Sequence, residues 1–167
     1  FDIPGNMATL HEAIRDLGAR YIVLDPLEAY IAKEYDGNSS KDTRHALDPF
    51  AEFIQANMVA LWAVRHTNKV QGARALDKGS GSRQYGAVAR VNLMAGKNPN
   101  DPNFGVLAKV KGNLSKSVAG LSYFMRERGV EVQDPVTGRM KSEAFPYIQW
   151  DGVSTVTADQ IVSGPRK

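Results

Sequence analysis

The chain has no cysteine among its 167 residues, which excludes disulfides, thiolate metal sites and cysteine nucleophiles together. Its three histidines, His11, His45 and His66, are scattered and offer no ligand cluster, so any metal is expected to arrive with a substrate. No apolar run approaches the roughly 18 residues that cross a bilayer, and no basic segment followed by an apolar stretch marks a signal peptide. A soluble, cytoplasmic protein with no membrane partner is the expectation. Charge of one sign is also in short supply. A formal net charge of +3 and a pI near 9.2 are too modest to argue for nucleic-acid binding, so only the local placement of basic residues can carry that argument. What is present is 43% hydrophobic residues, enough for a core and an argument against bulk disorder. Phe1-Asp2-Ile3-Pro4 opens the chain without an initiator methionine, and a processed or excised piece is expected.

Asn6 to Leu17 predicts an amphipathic helix: Leu10, Ala13, Ile14 and Leu17 recur at helical spacing, Thr9-x-x-Glu12 has the form of a capping box, and Gly18 suits the stop. Tyr21-Ile22-Val23-Leu24 then changes the period to a continuous apolar run, the pattern of a parallel strand buried on both faces. The polar stretch Asp36 to Ser40 predicts a loop that caps a helix over Thr43 to Ala56, with Pro49 expected to kink or restart it. Val59 to Val64 repeats the buried-strand pattern, and two such strands joined by a helix should run parallel. A third strand is expected over Val88 to Met94, a turn over Asn98 to Asn103, and a fourth strand over Phe104 to Lys111, antiparallel to the third. Leu121 to Met125 and Pro146 to Trp150 predict an edge hairpin around Pro135 to Gly138, and Thr157 to Gln160 a short terminal helix.

Chemistry-bearing residues gather at strand ends. Asp25 ends a buried strand, where open parallel sheets bind ligands and where a carboxylate can hold the water shell of Mg²⁺ beside phosphates; a helix-capping or loop aspartate is the alternative. Arg65-His66-Thr67-Asn68-Lys69 follows the next strand, and His66 or Asn68 there could sense a phosphate or position a water. From Arg65 to Arg83 the bases Arg65, Lys69, Arg74, Lys78 and Arg83 face the single acid Asp77, interleaved with glycine and serine, a composition that suits phosphate backbones as well as a solvated loop. In Lys109-Val110-Lys111, strand alternation puts both lysines on one face, fitting either an anionic partner or a lysine-blunted edge.

Taken in order, these motifs resemble the carboxyl-terminal half of a RecA-like P-loop ATPase core of the hexameric replicative-helicase kind, including plasmid and phage replication ATPases. The resemblance covers roughly residues 5 to 155. It implies an α/β fold, a partial RecA-like core whose parallel sheet is extended by antiparallel strands and an edge hairpin, with 1–155 as the core and 156–167 as a tail. Gly18 to Leu27 is similar to the Walker B strand, which assigns Asp25 to Mg²⁺ and catalysis. Val64 to Lys69 is similar to the sensor strand end, with His66 and Asn68 as the catalytic sensors. Gly79 to Arg90 is similar to the segment that faces the channel and nucleic acid, and with the basic loop before it this makes Lys69, Arg74, Lys78 and Arg83 the expected nucleic-acid-binding residues, single-stranded DNA being the favoured partner. Lys109 and Lys111 look like the basic pair that reaches a neighbouring subunit's nucleotide, which implies a homo-oligomeric ring with ATP and Mg²⁺ as cofactors.

The pattern also departs from that family. No G-x-x-x-x-G-K-[ST] phosphate loop occurs in these residues, and Glu12 on the first helix does not match the family's catalytic glutamate. The chain is therefore expected to start after the phosphate loop and to be inactive in ATP hydrolysis alone. The alternative is a non-catalytic RecA-like binding or oligomerisation module.

Overall fold

A computed structural model of the chain describes residues 1–67, 74–77, 82–113 and 120–164. These form two compact units, Phe1–Arg90 and Val91–Lys167.

In the first unit the helical spacing becomes α1 (Met7–Leu17). Asn6 is its N-cap but makes no side-chain cap bond, and Thr9 lies inside the helix with its hydroxyl donating to Asn6 Oδ1 at 3.3 Å, so the expected capping box is absent there. Gly18 stops the helix at φ 60°, a left-handed conformation open to glycine without steric cost. Strand β1 (Tyr21–Leu24) follows, then a 3-10 turn over Leu27–Tyr30. Ser39 caps α2 (Ser40–Ala56) by accepting from the Asp42 N–H at 3.2 Å. The helix runs on through Pro49 instead of restarting. Pro49 lacks the N–H that would bond the His45 carbonyl, and both residues are exposed, so water can take that bond.

Strand β2 (Ala60–Ala63) pairs parallel with β1, from Tyr21 opposite Ala60 to Leu24 opposite Ala63. The short helix α3 (Gln84–Val88) completes the unit. Leu10, Ile14, Leu24, Leu27, Leu47, Phe50 and Tyr85 form the centre of its core, with Ile22 and Leu61 packed against them. The expectation of strands buried on both faces is corrected: Tyr21, Val23 and Trp62 are 56%, 52% and 46% exposed. The core joins the helices to the Ile22, Leu24 and Leu61 side of the pair. A continuous apolar run records what a strand can bury, not what covers it.

The second unit contains β3 (Val91–Lys97), β4 (Gly105–Gly112), β5 (Gly120–Gln133), β6 (Met140–Ser154) and α4 (Ala158–Ser163). The strands make one antiparallel sheet in the order β3-β4-β5-β6. The third strand begins later than Val88, because Val88 closes α3. In the expected turn, Asn98 and Asp101 side chains accept from the N–H groups of Asn100 at 2.9 Å and Asn103 at 3.0 Å. Gly105 is required by close packing, since a Cβ there would run into the Tyr123 ring. The edge hairpin is present and longer than its two apolar segments. Its turn is organised by Asp134, whose carboxylate accepts from the N–H groups of Thr137 and Val136, bonds that hold its pKa below the usual carboxylate range. Thr157 and Gln160 form a capping box on α4. The α/β class and both kinds of pairing are thus as expected, arranged as a two-stranded parallel sheet and a separate four-stranded antiparallel sheet. Among the described residues no helix is long and apolar enough to cross a membrane.

Phe50 is 2% exposed and stacks with Phe53 at 6.4 Å between centroids. Phe50→Ala is expected to cost about 3–5 kcal/mol of stability through lost burial and the cavity it leaves, read as a shift in the urea unfolding midpoint. A change under about 1 kcal/mol would mean that the first unit does not depend on this core.

Candidate functional site

Because β1 and β2 run parallel, their carboxyl ends lie at one edge. Backbone bonding continues past the ladder: the Val64 N–H donates to the Leu24 carbonyl at 2.8 Å, and the Leu27 N–H to the Val64 carbonyl at 2.9 Å. Asp25, which follows Leu24, and Arg65-His66, which follow Val64, therefore leave the sheet at the same edge. Asp25 and His66 are both exposed there.

Arg65, grouped by its sequence position with the loop cations, instead has a structural role. Its Nε donates to Glu28 Oε1 at 2.9 Å, and its guanidinium carbon lies 4.0 Å from the centroid of the Tyr85 ring. The 3-10 turn supplies Glu28, the end of β2 supplies Arg65, and α3 supplies Tyr85, so the stack ties three segments together. Burial raises the Tyr85 pKa by desolvation, partly opposed by the Arg65 charge and by a hydrogen bond with the Thr43 side chain. A cavity of about 190 Å³ adjoins the stack, lined by Glu28, Ile31, Ala32, Lys33, Tyr35, Gly37, Asn38 and Tyr85. Asp25 and His66 are not among its lining residues. Sequence reasoning missed Glu28 and Tyr85. The only signals were a carboxylate three residues beyond Asp25 and an aromatic side chain amid polar residues.

Of the loop bases, Arg83 pairs with Asp77 at 2.9 Å while its side chain stays 77% exposed, so it remains accessible to a ligand. Arg74 is exposed and its carbonyl accepts the Asp77 N–H at 2.9 Å. Asn68, Lys69 and Lys78 lie outside the described residues.

Lys109 and Lys111 lie on β4 in the second unit. The alternation expected to align them is broken: Asn92 faces Lys111 but Leu93 faces Lys109, which leaves Val110 as the extra residue of a bulge. Strict alternation therefore does not set the directions of the two lysines.

Among the described residues no group of three or more His, Asp or Glu forms a self-sufficient metal cage. Mg²⁺ needs none, since it keeps several waters and takes one or two carboxylates together with substrate phosphates. A solvent-facing Asp25 at a strand end fits that donor set.

The Tyr85 hydroxyl generates a pH prediction. A tyrosine whose folded pKa lies above its unfolded value of about 10 stabilises the fold fully below that pH, and the contribution is lost as pH rises through the folded pKa. Urea midpoints are expected to fall above about pH 10, and to fall less in Tyr85→Phe, which at neutral pH should cost about 1 kcal/mol for the Thr43 bond. Equal alkaline slopes in the two proteins would refute the desolvated hydroxyl.

A family model described as an AAA domain matches residues 2–72, a stretch that holds Asp25, Glu28, Arg65 and His66 and ends before Arg74. No curated protein and no solved structure matches the chain. With the parallel strand ends and their carboxylate already in place, residues 2–72 are similar to a P-loop AAA-type ATPase domain, which supports a nucleotide-binding, ATPase-like role.

Proposed function

We propose that this chain is part of an ATP-binding and ATP-hydrolysing RecA-like motor or loader that acts on DNA in replication or repair. The observation that carries the reading is the shared edge of β1 and β2, where Asp25 and His66 emerge within the stretch similar to an AAA domain. In this reading Asp25 holds the water shell of Mg²⁺, and that ion neutralises phosphate charge when bound. His66 and Asn68 sense the terminal phosphate as hydrogen-bonding partners that differ between nucleotide states. Lys69, Arg74, Lys78 and Arg83 contact the DNA backbone. Lys109 and Lys111 act toward the nucleotide of a neighbouring subunit in a homo-oligomeric ring.

A second reading, a non-catalytic binding or assembly module, draws on the lack of a G-x-x-x-x-G-K-[ST] sequence in these residues. One substitution separates the two. In the longest form of the protein that the gene encodes, Asp25→Asn is expected to lower Mg²⁺-dependent ATP turnover at least about a hundredfold with an unchanged melting temperature. Unaltered turnover in the variant would overturn the assignment of Asp25, and a wild-type protein that hydrolyses no ATP would favour the module.

A further inference from the structure

The second unit carries a surface that the nucleotide reading does not use. The β4–β5 ladder ends at Gly105 opposite Tyr123, whereas β5 and β6 stay paired as far as Gln133 opposite Met140. Among the described residues, β5 beyond Tyr123 therefore has β6 as its only strand partner, and the hairpin continues as a two-stranded ribbon. Such a ribbon is marginal in water by itself. Most of its side chains are nonetheless exposed, large apolar ones included.

No register shift occurs past Tyr123, so alternation assigns the two faces. One face carries Phe124, Arg126 and Arg128 from β5, opposite Gln149, Tyr147 and Phe145 of β6. The Arg126 guanidinium lies 4.7 Å from the Phe124 ring centroid, which places those two side chains on the same side. Phe145 and Tyr147 are each 44% exposed. The acids Glu127 and Glu131 fall on the opposite face. Glu143, which shares the aromatic face, is held by Lys141 at 2.7 Å. Neither Arg126 nor Arg128 has an ion-pair partner among the described residues. Arg126 and Arg128 thus lie among aromatic rings on one side, while the other side carries the acids Glu127 and Glu131 together with Tyr123, Trp150 and aliphatic side chains.

We infer that the ribbon face formed by Phe124, Arg126, Arg128, Phe145 and Tyr147 binds single-stranded nucleic acid. Exposed rings offer stacking platforms to unpaired bases of any sequence, and arginines beside them neutralise phosphates and stack on bases. Same-face residues repeat about every 6.6–6.8 Å along a strand, so the platform extends along the ribbon instead of forming one pocket. A duplex keeps its bases stacked on one another and cannot use the rings in this way. The surface lies outside residues 2–72 and does not depend on the ATPase reading.

Anisotropy of a labelled oligothymidylate, titrated with the full chain across a range of salt concentrations, tests the inference. Arg126→Gln/Arg128→Gln is expected to weaken binding about tenfold and to lower the slope of log affinity against log salt by about 1.4, at roughly 0.7 per phosphate contact. Tyr147→Ala is expected to weaken binding about five- to hundredfold, while Tyr147→Phe, which keeps the ring and the strand propensity, retains it. Far-UV circular dichroism checks that each variant keeps its sheet. Unchanged affinity and slope in the arginine variant, with both reduced by Arg74→Gln/Arg83→Gln, would assign binding to the first unit and overturn the inference. So would a wild-type chain that binds no oligonucleotide, or one that self-associates through this face in a manner abolished by Phe145→Ala.

Discussion

Two parallel strands cannot be joined by a tight turn, so the chain leaving β1 must travel back before β2 can pair with it. Here α2 makes that journey, and its buried Ala46, Leu47 and Phe50 face the core through which the crossover is held. Everything at the carboxyl edge follows from this pairing. Leu24 meets Ala63, the backbone stays zipped through Val64 and Leu27, and the side chains just beyond are delivered to one rim. The Glu28–Arg65 pair then clamps the turn after one strand to the segment after the other. Tyr85 sits under that clamp, and α3 is further tied to the start of α2 by the Ser82 N–H on the Gly37 carbonyl at 2.8 Å and by the Ser40 and Ser82 hydroxyls at 3.3 Å.

The second unit is held by different means. Backbone ladders and pairs of rings dominate it: Phe104 with Phe124 at 4.2 Å and Tyr123 with Trp150 at 5.7 Å. Its buried side chains, Met94, Val106 and Ala108 with Val156 and Ala158, gather where the sheet is four strands wide and where the capped helix α4 follows. Far from that region the ribbon depends on its ladder and on what its faces contact.

Helices and strands of the first unit were legible because their apolar residues recur at periods that burial enforces, and because Ser39 and Gly18 mark helix ends by local chemistry. Less was legible where the fold decides. Val88 lies three residues before Val91 and reads as the start of the third strand, yet it closes the short helix α3, whose Tyr85 is buried in the core of the first unit. Arg65 is one of several loop cations by sequence, and only the crossover brings Glu28, 37 residues away, to its Nε. The polar half of β5, Arg126 to Gln133, lacks the apolar run by which the other strands were found, and its alternation of Val130 and Val132 with Glu131 and Gln133 is too short to stand out without the β6 partner. The bulge at Val110 depends on its partner strand, which the alternation of Lys109 and Lys111 does not reveal. At the candidate site the apolar patterns put Asp25 and His66 at strand ends, as the structure has them, while the stack that braces their edge came from long-range contacts.

Pro146 occupies the middle of β6, the outermost strand of its sheet. Proline is admitted to a strand where its nitrogen faces an open edge, and it leaves that edge without a donor and with a ring in the way. Long, exposed strands rich in aromatic residues ordinarily invite a neighbouring chain to add itself edge to edge and to propagate into fibres. The imide nitrogen interrupts that template midway along its length. The β6 rim of the ribbon is therefore interrupted for edge-to-edge addition, while the β5 rim beyond Tyr123 is blunted by another device, the closely spaced charges of Arg126, Glu127, Arg128 and Glu131.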